Sequence, residues 1–243
     1  SIEKHRKGII TVKAGPDAKV VIEQLSHEFW FGCAIGDAIF DGRASESDIK
    51  HYKENFLKNF NSAVTENAVK WGNMERQKGK VNYGVVDAML KWTDESGIPL
   101  RAHNLFWGIP NRVQSWLKDM PDEELEQTLK NRAEIVTARY RGRFAEYDLN
   151  NEMIHGNYYE QRLGPGITRK MAEWAQAGDP DIKLYLNDYD ILTGNMLEKF
   201  MIHIRDIQAQ NIPIAGSGVQ GVLQYETFDR IDLFGSRGSQ TMC

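Results

Sequence analysis

Strand-like and helix-like segments alternate along most of this chain of 243 residues, and this alternation restricts the fold more than any other feature. Six strands are predicted, near residues 29–33, 61–65, 99–105, 144–150, 182–187 and 213–219. Helical periodicity lies between them, as for Ile49, Tyr52 and Phe56 after the first strand. Alternating β and α segments, at roughly 30–45 residues per unit, indicate a parallel α/β fold.

Polar and aromatic residues stand at the C-terminal ends of nearly all these strands. They are Glu66-Asn67, His103, Asn151-Glu152, Asn187-Asp188-Tyr189 and Gln220. Barrel enzymes carry their chemistry at this end of the strands, whereas a doubly wound nucleotide-binding fold has a Gly-rich turn after strand one. Gly32 and Gly36 lack the spacing of that turn. The sequence therefore predicts an α/β barrel of the (β/α)8 TIM-barrel type, with about six β/α units visible.

Two regions flank this pattern. Ile9–Val12 and Val20–Ile22 are strand-like and enclose a Gly15-Pro16-Asp17 turn, which predicts a hairpin. The residues after Gln220 lose all periodicity. Three regions are therefore expected: residues 1–28 as an N-terminal β-hairpin segment packed on the barrel, residues 29–222 as the barrel, and residues 223–243 as an atypical C-terminal tail.

Composition excludes several classes of partner. The chain is 41% hydrophobic and 26% charged with a net charge of −4, and it has no basic stripe for nucleic acid. No apolar run approaches the ~20 residues of a membrane span. No signal peptide is visible, so the chain is expected to be cytoplasmic or the mature form of a secreted protein. Cys33 and Cys243 lack metal-ligand spacing, and a single disulfide between them stays open.

The segment from Tyr147 to Met153 carries the strongest catalytic candidate. It predicts a strand that ends in an amide, Asn151, followed at once by a carboxylate, Glu152. A glycosidase needs a carboxylic acid at the barrel mouth, and a neighbouring amide can hold the sugar. Taken alone, such a glutamate is more often a surface or helix-capping residue. The residues at the other strand ends favour a catalytic role instead.

Two further strand ends offer groups that bind sugars. Residues 65–71 hold a carboxylate, an amide, an amine and an indole in Glu66, Asn67, Lys70 and Trp71. Residues 101–107 add the imidazole of His103 and the indole of Trp107. An isolated strand-end histidine is more often structural, and core packing is the commoner use of tryptophan.

Taken together, these segments resemble glycoside hydrolase family 10, the endo-β-1,4-xylanases, over about residues 8 to 230. The motifs are Glu66-Asn67-x-x-Lys70-Trp71, Arg101-x-His103-x-x-x-Trp107, Asp148-x-x-Asn151-Glu152, Leu186-Asn187-Asp188-Tyr189 and Gly216-x-Gly218-x-Gln220. Their order and spacing make the resemblance specific. The segments Phe106–Pro110 and Asn151–Gly156 look most like the branch that includes plant-type xylanases.

The resemblance implies a (β/α)8 barrel that hydrolyses β-1,4-xylan with retention, outside the cell and without metal or cofactor. It implies that Glu152 is the acid/base and that Asn151 holds the 2-hydroxyl of the −1 sugar. The other implied substrate contacts are Glu66, Asn67 and Lys70 along the −1 to −3 sugars, His103, Trp107 and Gln220 around the −1 sugar, and Tyr189 near the aglycone.

Retention also needs a nucleophilic carboxylate about 5–5.5 Å from the acid. In the family this glutamate ends strand seven, well after the Gln220 motif, and the chain stops before such a segment. Glu226 is a poor substitute because it lies six residues after Gln220, and Asp232 has no strand-ending context. Val222 stands where the family has a histidine. The chain is therefore expected to be cut short or altered near residue 222.

Three functions stay open. The first is an endo-1,4-β-xylanase, or the larger part of one, impaired in this chain because the nucleophile is missing. The second is a non-catalytic xylan-binding protein that keeps the minus subsites. The third is a β-1,4-glucanase. The expected partners are xylan or xylooligosaccharides, together with a partner or missing C-terminal segment that covers the open sheet edges.

Overall fold

The computed structural model describes residues 7–25 and 27–221, which form one parallel sheet with helices between its strands. The strands are β1 (Gly32–Ile35), β2 (Ser62–Thr65), β3 (Leu100–Ala102), β4 (Phe106–Trp107), β5 (Glu146–Asn151), β6 (Leu184–Asp188) and β7 (Gly216–Val219). The helices are α1 (Glu46–Asn59), α2 (Trp71–Met74), α3 (Gly84–Ser96), α4 (Ser115–Lys118), α5 (Asp122–Arg139), α6 (Tyr158–Leu163), α7 (Ile167–Gly178) and α8 (Leu197–Ala209).

Neighbouring strands follow chain order. The order is β1-β2-β3-β5-β6-β7, and β4 pairs with β5. β3 and β4 occupy one strand position, because Arg101 pairs with Glu146 and Phe106 with Asn150 of the same neighbouring strand. Parallel strands joined by helices in this order curl as in a TIM barrel. Within the described residues the barrel is partial, with β1 and β7 as its edges.

The predicted (β/α)8 barrel type is confirmed, with six strand positions in the described part of the chain. Two strands differ in detail. Strand 99–105 is interrupted at residues 103–105. The first strand begins at Gly32, later than predicted, and Phe29 and Phe31 within the predicted strand are 60% and 50% exposed. These residues precede an edge strand, where neighbouring structure covers less of the side chain.

The structure differs from the prediction at the N-terminal β-hairpin. Residues 7–25 contain no strand, and Ile9 and Leu25 are 97% and 88% exposed instead of packed on the barrel. Alternating apolar residues form strands when a partner buries one face, and an isolated hairpin is marginal in water. Residues 1–6, Ser26 and residues 222–243 lie outside the described part, and with them the predicted tail, Glu226, Asp232 and Cys243.

Local sequence explains where the helices begin and how they pack. Ser45 caps α1, since its Oγ accepts a hydrogen bond from the Asp48 amide at 3.2 Å. α5 packs on α7, and a Cβ at Gly178 would lie 2.0 Å from Thr137 Oγ1, so only glycine fits there. No helix in residues 7–25 and 27–221 combines the length and apolarity of a membrane span.

Charged side chains inside the barrel form one network around Arg101. Its guanidinium donates to Glu146 Oε2 at 2.9 Å and to Asp148 Oδ1, and all three side chains are buried. His103 Nδ1 lies 2.7 Å from the other Asp148 oxygen. Burial alone would raise the pKa of Asp148, but the charge of Arg101 and the hydrogen bond from His103 lower it below its usual value. Asp148 is therefore ionised at neutral pH.

Replacing Asp148 tests how much the fold depends on this network. Asp148→Asn is expected to lower the free energy of unfolding by about 3–5 kcal/mol, because it leaves the buried guanidinium of Arg101 without its main counter-charge. Urea denaturation followed by circular dichroism measures this loss. Asp94→Asn is the matched control, since Asp94 and Arg143 pair on the surface with side chains 49% and 39% exposed. That change should cost at most about 1 kcal/mol.

The loss of stability caused by Asp148→Asn should depend on pH. Because the folded-state pKa of Asp148 lies below its unfolded value, its contribution is fully present above about pH 4 and disappears as pH falls through the folded pKa. The difference between wild type and Asp148→Asn should shrink below about pH 4. Equal losses for Asp148→Asn and Asp94→Asn at neutral pH would contradict the assigned importance of the buried network.

Candidate active site

The backbone at the end of β5 sets the position of Glu152. Glu152 adopts a positive φ of 61°, uncommon for a residue other than glycine. Its amide donates to the Asn187 carbonyl at 2.8 Å, and its carbonyl accepts from the His155 amide at 3.0 Å. The end of β5 is thus joined to β6, and residues 152–155 form a turn. Strained backbone held in this way is typical of functional sites.

The carboxylate of Glu152 is held by two donors, one from the adjacent β4 and one from the end of β7, two positions away in the sheet. Its Oε2 accepts from Trp107 Nε1 at 2.8 Å, and its Oε1 accepts from Gln220 Nε2 at 3.0 Å. Trp107 belongs to β4 and Gln220 follows β7. The structure therefore brings three sequence-predicted residues together and fixes the plane of the carboxylate.

Asn151 offers a donor without a partner beside this carboxylate. Its side chain is buried, and its Oδ1 accepts from Asn187 Nδ2 at 2.9 Å. Its Nδ2 is buried and has no hydrogen-bond partner among the described residues. An unpaired buried amide donor costs about 1–3 kcal/mol. A ligand hydroxyl that accepted this hydrogen bond would remove that cost.

Lys70, which follows β2, lies near Trp107 and Glu152. Lys70 Nζ donates to Asn67 Oδ1 at 2.9 Å and lies 5.0 Å from the centre of the Trp107 ring. Burial lowers the pKa of Lys70, although the charges of Glu152 and Glu66 act in the opposite direction. Glu66 itself is exposed. The end of β2 therefore contributes a cation and hydrogen-bonding groups beside Trp107.

Trp71, which the sequence grouped with these residues, lies in the core. It is 4% exposed and packs edge-on against Phe106 and Trp116, with ring centres 6.0 and 5.8 Å away. Its indole N–H donates to Glu75 Oε2 at 2.8 Å. Trp71 therefore packs in the core next to the site residues and cannot stack on a sugar in the cleft.

His103 is oriented by contacts on two sides. Its amide donates to Thr65 Oγ1 at 2.9 Å, and the peptide bond between His103 and Asn104 is cis. Its Nδ1 donates to ionised Asp148, because a carboxylate only accepts hydrogen bonds. Nε2, on the opposite side of the ring, points away from Asp148. The imidazole is partly exposed at 16%, which leaves it open to a ligand.

Tyr189 lines the same cleft as Glu152 and stacks on His155. The two ring centres are 3.6 Å apart and the rings are inclined by 10°. Asp188 holds His155 through Nδ1 at 2.7 Å and also accepts from the amides of Ile154 and Tyr189. Burial raises the pKa of Asp188 despite these hydrogen bonds. One buried carboxylate thus connects the loops that follow β5 and β6.

A cleft of about 670 Å³ opens in front of Glu152. It is lined by Trp107, Ile109, Asn111, Arg112, Glu152, Tyr189, Asp190, Thr193, Asn195 and Gln220. Sequence reasoning found four of these residues and missed the six on the loops after β4 and β6. Loops after barrel strands line the active site in this fold, and that rule could have identified them.

The glycines of the Gly216-x-Gly218-x-Gln220 motif allow β7 to approach the barrel interior. A Cβ at Gly218 would lie 2.9 Å from Asn187 Oδ1 and 3.0 Å from Arg101 Nη2. A Cβ at Gly216 would lie 2.6 Å from a ring carbon of Tyr185. Neither site has room for a side chain. The motif therefore lets β7 pair with β6 closely enough for Gln220 to reach Glu152.

Alanine at Gly218 tests this account. Gly218→Ala is expected to lower the free energy of unfolding by about 1–3 kcal/mol, because the added methyl overpacks buried groups that cannot retreat. Gly72→Ala in α2 is the control, since its nearest neighbour to an added Cβ is 3.9 Å away. That variant should be neutral or slightly more stable. Chemical denaturation compares the two, and an unchanged stability for Gly218→Ala would refute the close approach.

Comparison with known proteins agrees with the fold. The chain belongs to Glycosyl hydrolase family 10, whose family model matches residues 22–234. It is 36% identical over 230 residues to "Endo-1,4-beta-xylanase 1" of Arabidopsis thaliana, covering 90% of this chain and 24% of that protein. It is also 36% identical over 206 residues to "Endo-1,4-beta-xylanase 3" of the same plant, covering 83% of this chain and 26% of that protein.

A solved structure shares the fold. Native xylanase 10B from Thermotoga maritima superposes with a TM-score of 0.70 at 24% identity, covering 83% of this chain and 65% of that chain. The family resemblance stated from the motifs is thus confirmed. The present chain spans about a quarter of the length of the two Arabidopsis relatives, at 24% and 26%.

Proposed function

We propose that this chain is the larger part of the catalytic domain of an endo-1,4-β-xylanase, which cleaves β-1,4-xylosidic bonds with retention. The observation that supports this most directly is the carboxylate of Glu152, hydrogen-bonded by Trp107 and Gln220 and adjacent to the unpaired amide of Asn151. Family membership supports the reaction class, and the names of the Arabidopsis relatives support the xylan substrate.

In this proposal Glu152 protonates the glycosidic oxygen and later, as a base, activates the water that releases the sugar. The Asn151 amide donates to the 2-hydroxyl of the −1 sugar, because no acceptor in residues 7–25 and 27–221 bonds to it. His103 Nε2 contacts a hydroxyl of the same sugar, and Lys70 and Tyr189 make further contacts to the sugar chain.

We also propose how active these 243 residues are by themselves. A retaining enzyme needs a second carboxylate about 5–5.5 Å from the first. Asp190 is the other carboxylate that lines the described part of the cleft, and it lies 3.9 Å from His155 Nε2 on the loop after β6. A nucleophile is expected from a later strand in the family, so we propose that these 243 residues bind xylan but hydrolyse it negligibly.

Binding is the first test because it does not require the nucleophile. The purified chain should bind xylohexaose in titration calorimetry, and Asn151→Ala should weaken that binding by about 5- to 10-fold through loss of one hydrogen bond. Asn55→Ala, on the exposed face of α1, is the control and should bind normally. Tighter binding of cellohexaose would favour the glucanase alternative, and absence of binding to both sugars would contradict the proposal.

Hydrolysis tests the role of Glu152. In a longer form of the protein that cleaves xylan, Glu152→Ala should lower kcat by about 10²–10⁴-fold, the usual contribution of a general acid. Aryl xylosides with good leaving groups should lose less at the glycosylation step, because they need little protonation. Asp94→Asn, at a surface carboxylate that is 49% exposed, is the control and should keep most activity. Equal losses on both substrates would contradict the acid role.

The shorter chain supplies a separate check. The 243 residues should give no turnover above that of their Glu152→Gln variant, which controls for contaminating xylanase. Robust xylan hydrolysis that disappears in Glu152→Gln would refute the expected lack of a nucleophile while supporting the acid/base assignment.

A further inference from the structure

Arg112 is held over the cleft by a loop that is fixed at its base. The loop follows β4, and its residue Gly108 donates to Asn150 Oδ1 at 3.2 Å and accepts from the Tyr158 amide at 2.7 Å. The Arg112 amide then donates to the Ile109 carbonyl at 2.8 Å, which closes a turn. The position of the Arg112 backbone is therefore set by contacts to β5 and to the start of α6.

The guanidinium of Arg112 lies against the indole that contacts Glu152. Its central carbon is 4.9 Å from the centre of the Trp107 ring, and Trp107 Nε1 donates to Glu152. Stacking on an aromatic face restricts the long side chain before any ligand arrives, and a guanidinium is only weakly hydrated. A cation is thus prepositioned one ring away from the proposed acid/base.

Arg112 is exposed and takes part in none of the ion pairs formed within residues 7–25 and 27–221. The carboxylates that line the same cleft have other contacts. Both oxygens of Glu152 accept hydrogen bonds from Trp107 and Gln220, and Asp190 lies 3.9 Å from His155 Nε2. The guanidinium therefore keeps its charge and its donors for a ligand.

We infer that Arg112 binds a carboxylate carried by the sugar chain and thereby makes the cleft bind β-1,4-xylan with a uronic acid substituent more tightly than unsubstituted xylan. This inference rests on the proposed function. Neutral sugars present only hydroxyls, whereas the fork of a guanidinium matches a carboxylate with two parallel hydrogen bonds. Lys70, over the same indole, adds a second positive charge that offsets repulsion from Glu152 and Asp190.

The test compares two oligosaccharides on the same protein. Titration calorimetry measures binding of linear xylohexaose and of a xylo-oligosaccharide of equal backbone length with one glucuronic acid substituent. The wild-type chain should bind the acidic sugar about fivefold more tightly at low salt, the effect of one partly exposed ion pair. That preference should vanish at about 0.5 M NaCl, where charges are screened.

Three variants separate charge from shape. Arg112→Gln should bind both sugars equally, and Arg112→Lys should keep part of the preference because it keeps the charge. Arg205→Gln, on the exposed surface of α8, is the control and should behave as wild type. Circular dichroism should show the same fold for all of them.

The outcomes distinguish this inference from the proposed function. Equal affinity of the wild-type chain for both sugars, or a preference that persists in Arg112→Gln, would overturn the role of Arg112 and leave xylan binding intact. Loss of binding to both sugars in the wild-type chain would overturn the proposed site and, with it, the role of Arg112.

Discussion

The buried guanidinium of Arg101 is the interaction on which the rest of this partial barrel depends. It pairs with Glu146 and Asp148 of β5 and lies 4.6 Å from the ring centre of Tyr185 on β6. Gly218 of β7 is a glycine partly because Arg101 occupies the adjacent space. One side chain from β3 thus contacts the three strands that follow it in the sheet. Burying a charge costs free energy, and complete pairing makes it tolerable here.

The same network reaches the active site through Asp148. Arg101 keeps Asp148 ionised, and ionised Asp148 requires the proton of His103 to lie on Nδ1. The opposite nitrogen, Nε2, then faces away from the carboxylate. Stability and function therefore share residues, since the ion pair that fills the barrel interior also fixes the orientation of a proposed sugar-binding histidine. Substitutions in the network should affect the fold and the site together.

The sequence predicted the strand positions and the cleft residues at the strand ends, because both depend on local patterns combined with one rule of topology. Parallel strands put their C-terminal ends on the same side, so Asn151, Glu152 and Gln220 had to converge once their strands were assigned. Ser45 caps α1 as its local pattern requires. The implied chemical roles of the site residues stay predictions until the variants are measured.

Other parts of the structure could not be predicted from a short stretch of sequence, because their environment is set by residues far away along the chain. The segment before Gly32 alternates like a strand, but nothing in its own residues says whether a partner will bury it. Trp71 stands between sugar-binding candidates in sequence, and only the packing of Phe106 and Trp116 shows that it belongs to the core. The loop that carries Arg112 was missed because its position depends on contacts to Asn150 and Tyr158, both distant in sequence.

Glu152 is held by residues from strands on both sides of β5, and the two contacts should differ in strength. Trp107 comes from a strand position inside the sheet, whereas Gln220 follows β7, an edge of the described sheet. An edge strand has half the backbone pairing of an inner one, so the Gln220 contact should be the weaker of the two. Gly216 and Gly218 strengthen it by letting β7 lie close to β6. The orientation of the proposed acid/base therefore depends on how well β7 is paired, while the sugar contacts on β2, β4 and β5 depend on it much less.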